Sequence, residues 1–252
     1  ANRLAATVDE TGQVTRLHYN SAELVSIQIS YENLVNTQAW LNTDGEMTFS
    51  LSQLDAAIVA SPENDRRIEF SYNKAGQLRF MLDAEGYVTE NRYSSSGLLT
   101  GRLIYDDIVT NLADFASTDN SSKTYRAYHT QYNKNGQVEF ETDPEGYLTQ
   151  YYYDAAGNNV GIRQYFNKGT PDNLTPSEKD KVSFTFYDAA GRVTATIDSV
   201  GKVTALKYDA DGNLTEKHVD ATAVRDYQLG DILILPAGEK RSVYYQYDKR
   251  GA

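Results

Sequence analysis

Apolar and polar residues alternate along short stretches of the chain. After Gly76, Leu78, Phe80 and Leu82 fall on one side of an extended strand, with Gln77, Arg79 and Met81 on the other. The alternation returns after Gly136 with Val138, Phe140 and Thr142, and after Gly191 with Val193, Ala195 and Ile197. A period of two over five or six residues predicts half-buried β-strands. Two turn signatures punctuate them. The first, Tyr-[Asp/Asn]-x-x-Gly, occurs at Tyr72–Gly76, Tyr132–Gly136, Tyr153–Gly157, Tyr187–Gly191 and Tyr208–Gly212, with a serine-substituted copy at Tyr93–Gly97. Tyr19-Asn20 begins another copy, with Glu23 in the place of glycine, and Tyr247–Gly251 is a last copy cut off at its turn. The second, Asp-x-x-Gly-x-[Val/Leu]-Thr, occurs at Asp9–Thr15, Asp83–Thr89, Asp143–Thr149 and Asp198–Thr204.

The opening Asp or Asn can bond to the backbone two residues on, and the glycine three positions later supplies a positive φ. The glycines run Gly76, Gly86, Gly97; then Gly136, Gly146, Gly157; then Gly191, Gly201, Gly212, so each step is 10 and then 11 residues. About six residues remain between turns, one strand length. This spacing predicts an antiparallel meander with the two turn types at opposite edges. The tyrosines recur in register, which predicts cross-strand aromatic neighbours.

A longer period overlies the first. First-type tyrosines fall at Tyr72, Tyr132, Tyr187 and Tyr247, in steps of 60, 55 and 60. The chain therefore reads as a single repeat array: a partial unit 1–65, units 66–125, 126–180 and 181–240, and a truncated unit 241–252 after which more repeat is expected. The extra length forms inserts at Leu24–Asp65, Tyr105–Lys123, Asn167–Lys181 and Val219–Lys240. Helical turns are expected in three of them: at Ser52–Ala60, at Thr110–Ala116, and after Thr175, a cap followed by Pro176 and Glu178. The fold class is mainly all-β: a repetitive antiparallel β-hairpin meander forming a twisted, spiralling sheet, with short helical inserts between units.

Charge and composition narrow the function. Lysine plus arginine is 24 and aspartate plus glutamate 35, a net charge of −11. That acidity argues against nucleic acid, which needs cations to displace phosphate counterions, and against an anionic membrane. Apolar runs are short, about four residues as at Ile232 to Leu235 and far from the roughly 18 of a membrane span, so this segment is not expected to insert in a membrane. With no cysteine, disulfides and thiolate chemistry are excluded. His18, His129 and His218 lie at unrelated phases and show no metal-ligand spacing. No Gly-x-Ser-x-Gly elbow or phosphate-binding loop occurs. Asp209, Asp211, Gly212 and Asn213 begin like a calcium loop, but the glycine comes fourth where the sixth place is needed. Carboxylate pairs for glycoside hydrolysis could meet only through the fold. No cofactor or metal is expected, and the chain reads as not an enzyme. Tyrosine is 20 of 252 residues, and Tyr151, Tyr152 and Trp40 are the candidates for facing a ligand.

The Tyr-Asp-x-x-Gly copies with the intervening Asp-x-x-Gly-x-[Val/Leu]-Thr resemble the RHS or YD-repeat family. Tyr187–Val193 and Tyr208–Leu214 match its pattern closely, and the resemblance leaves only the inserts unexplained. It implies a β-sheet strip that spirals into a hollow shell, as in Tc-toxin components and polymorphic toxins, or an adhesive barrel, as in teneurins. It also implies that the repeats are wall rather than catalyst. The family's self-cleaving plug carries Asp-Pro-x-Gly; Asp143-Pro144-Glu145-Gly146 looks similar but stands in the phase of Asp83–Gly86 and Asp198–Gly201, and reads as a turn. The expected function is a non-catalytic structural segment of a large secreted or bacterial surface protein. Its partners would be further repeats of the same polypeptide and an enclosed C-terminal toxin. The alternative is an adhesive module that binds a cell-surface glycan or protein through exposed tyrosines and the inserts.

Overall fold

The computed structural model describes residues 3–46, 48–220, 223–224, 227–228 and 240–247. The strands are antiparallel, and their hydrogen-bonded order follows the chain from the first to the sixteenth, in one meandering sheet that is not closed. The chain divides into two compact units, 1–127 and 128–252.

The first unit contains β1 (Ala6–Val8), β2 (Val14–Tyr19), β3 (Val25–Ser30), α1 (Leu51–Ala57), β4 (Arg66–Tyr72), β5 (Leu78–Leu82), β6 (Val88–Tyr93), β7 (Leu99–Tyr105) and α2 (Leu112–Ser117). The expected alternation holds on β5, where Phe80 and Leu82 are buried, and Val88, Leu103 and Tyr105 continue that face. α2 closes over them: the Phe115 ring meets Phe80 at 5.8 Å and Tyr105 at 4.9 Å between centroids, both edge to face. In the first insert, Leu54 of α1 joins Val14, Val35 and Trp40 in a second buried cluster. One face of the sheet is thus covered by the inserts, which supply the second layer that a sheet needs to bury its apolar side.

The inserts differ from expectation in detail. The helix expected at Ser52–Ala60 forms one residue earlier and ends at Ala57, with Ile58 already extended. Its start is a capping box missed in the sequence: Ser50 Oγ accepts from Gln53 N, and Gln53 Oε1 accepts from Ser50 N. Ser50→Ala should cost about 1 kcal/mol, read as a lowered urea midpoint. α2 starts at Leu112, because Asn111 Oδ1 accepts from Ala113 N and Asp114 N.

The second unit contains most of β8 (Tyr125–Tyr132), then β9 (Val138–Thr142), β10 (Leu148–Tyr153), β11 (Asn159–Gln164), β12 (Lys181–Tyr187), β13 (Val193–Ile197), β14 (Val203–Tyr208), β15 (Leu214–Asp220) and β16 (Lys240–Tyr244). Phe140, Leu148 and Tyr165 form one cluster, with Leu174 of the insert against it. Phe184, Ile197 and Val203 form another, capped by Tyr227 at 4.6 Å from the Phe184 ring. The helix expected after Thr175 is not formed. Residues 177–180 make a single turn closed by Asp180 N donating to Ser177 O. The buried Asp180 carboxylate takes the Ser177 and Phe166 amides and the Arg163 guanidinium, and this holds the segment as a turn. Most of the insert Val219–Lys240 lies outside the described residues, as does the glycine of the last motif.

Candidate functional site

The turns use their polar atoms on themselves. At Asp209, Oδ1 accepts from Asp211 N at 3.0 Å and Asn213 N at 2.8 Å, Oδ2 accepts from Asn213 Nδ2 at 3.1 Å, and Gly212 N donates to Asp209 O at 3.1 Å. The side-chain amide of Asn213, followed by backbone amides, holds this carboxyl below the usual range. The same happens at Asp9, chiefly through the Thr11 hydroxyl, at Asp154 through Asn158, and at Asp188 through the Arg192 amide. Gly212 sits at φ +89, and Glu23, in the glycine place of its own turn, at φ +63. Asp143–Gly146 is a turn of the same build, with Gly146 N donating to Asp143 O at 3.0 Å. Among the described residues, no group of three or more His, Asp or Glu is placed to hold a metal ion.

The register expected for an aromatic stack serves hydrogen bonding. Tyr19, Tyr93, Tyr153 and Tyr208 donate from their phenols to Leu4 O, Leu78 O, Val138 O and Val193 O, each 15 residues earlier, at 2.6 to 2.9 Å. Tyr72 and Tyr187 reach Val25 O and Asn159 O of the preceding hairpin. Leu78, Val138, Val193, Val25 and Asn159 all stand beside a β-bulge, which disrupts the ladder locally. The phenol supplies a donor there. This explains why the motif keeps tyrosine rather than phenylalanine in these copies.

The second-type turns do something that the sequence reading missed. Gly12 O, Gly86 O, Gly146 O and Gly201 O accept from the backbone N of Val35, Val109, Gly169 and Val224, at 2.8 to 3.2 Å. The interval is 23 residues each time. Every insert therefore folds back onto the turn glycine of its own unit. The signal was present in the sequence as a valine 23 residues after three of the four glycines.

Under the inserts lie polar groups that alternation alone did not identify. Arg16 pairs with Asp55 of α1 at 3.2 Å. Glu90, 7% exposed, accepts from Tyr105 at 2.8 Å and Arg92 at 3.0 Å. Gln150 Oε1 accepts from Tyr152 at 2.7 Å and Tyr165 at 2.6 Å. His218 is buried, with Nδ1 3.6 Å from Glu216, whereas His18 and His129 are exposed. Of these, the Arg16–Asp55 pair ties a strand to an insert helix, and the Glu90 bonds tie β6 to β7. Of the ligand-facing candidates, Trp40 is buried against Phe49 at 5.0 Å. Tyr151 is half-buried and donates to Glu141 at 2.5 Å, and Tyr152 is half-buried on Gln150.

Burial first, with the neighbouring Glu90, Glu141 and Tyr152 adding to it, pushes Tyr105, Tyr151 and Tyr165 up to about 12. A raised folded value favours the protonated phenol, so its stabilisation is complete below pH 10 and is lost as pH rises towards about 12. An ultraviolet titration should show a late-ionising class of tyrosines, and the urea midpoint should fall over the same interval. A single transition centred at the ordinary tyrosine value would contradict this assignment.

Comparison with known proteins agrees with this architecture. Residues 187–225 match the family model RHS Repeat. The fold is similar to the crystal structure of TcdB2-TccC3, with a TM-score of 0.58 and 17% identity over 82% of this chain. It is also similar to the TcdB2-TccC3-TEV structure, at 0.59 and 19% over 85%, and to the Photorhabdus luminescens Tc holotoxin pore, at 0.58 and 17% over 82%. The chain spans 9% of the length of each of these chains. No curated protein sequence matches it. The match takes in the turns at Tyr187–Gly191 and Tyr208–Gly212, and the same turns recur in the preceding units, so residues 187–225 carry an RHS repeat and the rest of the chain is similar to it.

Proposed function

We propose that the chain is a non-catalytic wall segment of a larger secreted or surface-exposed bacterial RHS-type protein, and that the wall encloses a toxic C-terminal region. The observation that carries this reading is the identity of strand order and chain order in a sheet that does not close. Each unit, taken as 66–125, 126–180 and 181–240, adds the same pair of hairpins, and described residues of its insert pack back on them. An array of this kind grows by addition, and its stability is close to a sum of unit and neighbour terms. The turn residues from Tyr72 to Gly212 are structural on this reading. The phenols of Tyr151 and Tyr152 are taken up by Glu141 and Gln150, which favours a wall over a glycan-stacking surface.

The test is electron microscopy of the full natural polypeptide with parallel limited proteolysis. The expected result is a hollow particle whose wall contains these strands, with the C-terminal region protected until the wall is cut. An extended rod, with the C-terminal region digested as fast as it is alone, would overturn the proposal.

A further inference from the structure

One turn edge departs from the repeat in a consistent direction. The residue three places after a first-type glycine lies in the bulge, and it is commonly a hydroxyl residue tied to the backbone. Thr100, Thr194 and Thr215, with Ser26 after Glu23, bond the carbonyl eight residues earlier at 3.2 to 3.3 Å. After Gly76 that residue is Arg79. Where Tyr152 precedes Tyr153, Arg92 precedes Tyr93, and where Asp154 and Asp209 open their turns, Ser94 opens this one. Relative to the next unit, three substitutions thus add cations or remove a carboxylate at one place; the unit after it keeps a cation before its second tyrosine, Lys207, but pairs it with Glu216 at 2.6 Å.

They meet in a groove of about 1070 Å³ between the turns 73–76 and 94–97, lined by Lys74, Arg79, Arg92 and the serines 94–96. Arg79 and Arg92 converge on one carboxylate, Glu90, at 3.8 and 3.0 Å, and each side chain remains 52% exposed. Lys74 is exposed, and Ser94 Oγ lies 2.8 Å from Ser96 Oγ. Three cations against Glu90 leave a local charge of +2 in a chain of −11. The corresponding residues of the next unit, Lys134, Glu139, Gln150, Tyr152 and Asp154, sum to −1. The groove therefore offers two half-free guanidinium forks, an ammonium and a rim of hydroxyl donors. That donor set suits an oxyanion with several acceptor oxygens and two negative charges.

We propose that this groove binds a phosphate monoester dianion. The inference is independent of the wall reading, since it concerns one turn edge and not the assembly.

The test is amide-shift titration of the isotopically labelled 252-residue chain with phenyl phosphate at constant ionic strength, because exposed charges are screened by salt. Saturable shifts are expected at residues 74–77 and 94–97. Affinity should fall as pH drops below about 6, where the dianion takes up a proton and becomes a monoanion. Arg79→Gln should weaken binding at least about tenfold, a loss of about 1.4 kcal/mol. Arg79→Lys should retain part of it. Ser94→Asp, which restores the residue found at Asp154 and Asp209, should abolish binding with an unchanged urea midpoint. Absence of saturable shifts, or equal shifts in Ser94→Asp, would refute the site. Tighter binding of hexaglutamate than of phenyl phosphate would overturn the phosphate assignment in favour of an acidic peptide.

Discussion

Gly12→Ala is expected to undock the first insert and to destabilise its unit by about 3 kcal/mol. Two costs add at this position. Gly12 has φ +90, where an L side chain costs about 1–2 kcal/mol. A Cβ there would also stand 2.2 Å from Val35 O, a backbone atom that cannot rotate away. The insert must shift, and relieving such overpacking typically costs about 1–3 kcal/mol more. Gly136 is the internal control: its φ is +78, but nothing lies within 4 Å of the added Cβ, so Gly136→Ala should cost only about 1–2 kcal/mol. Gly201, 2.5 Å from Val224 O, should behave like Gly12. The readout is built in. Trp40 is the only tryptophan and is buried in the cluster that Val35 completes. Its emission should shift to the red at lower urea in Gly12→Ala, and hardly at all in Gly136→Ala. Equal effects of the two substitutions would mean that insert docking contributes nothing to stability.

The contrast between these glycines shows what could be read from the chain. A glycine every 10 or 11 residues after Asp or Asn specifies a turn locally, because the side chain and the amides that it bonds lie within four residues. Strand alternation is equally local, so the meander and its buried residues Phe80, Phe140 and Ala195 were legible. Docking of Val35 on Gly12 is a contact across 23 residues that include the whole of β2 and β3, and no local rule predicts it. The phenol bonds occupy an intermediate place. Their 15-residue interval is regular, but the need for a donor arises from a bulge, which appears only when strands pair.

The inserts were the least legible part, and Asp180 shows why. Thr175, Pro176 and Glu178 are good helix-start residues, yet six residues after Thr175 β12 begins at Lys181. One turn of helix gains little, because nucleation fixes several residues for a single hydrogen bond. A buried carboxylate offers the same backbone more. Asp180 has 1% side-chain exposure and accepts from Ser177 N at 3.1 Å, Phe166 N at 3.0 Å and Arg163 at 3.1 Å. Asp180→Ala should therefore release the third insert and cost about 3 kcal/mol, at the low end for a broken buried pair because Arg163 is 27% exposed. Hydrogen exchange should show lost protection at the Ser177 and Phe166 amides, with the turn at Asp188–Gly191 unaffected. Arg163 holds the strand position that Leu103 holds in the preceding unit. Adding Arg163→Leu to Asp180→Ala should restore part of the loss, since an apolar residue removes the stranded charge. If the double variant is as unstable as Asp180→Ala alone, the two amide bonds and not the ion pair hold the insert. If Asp180→Ala itself costs less than about 1 kcal/mol, the carboxylate is not what prevents the helix.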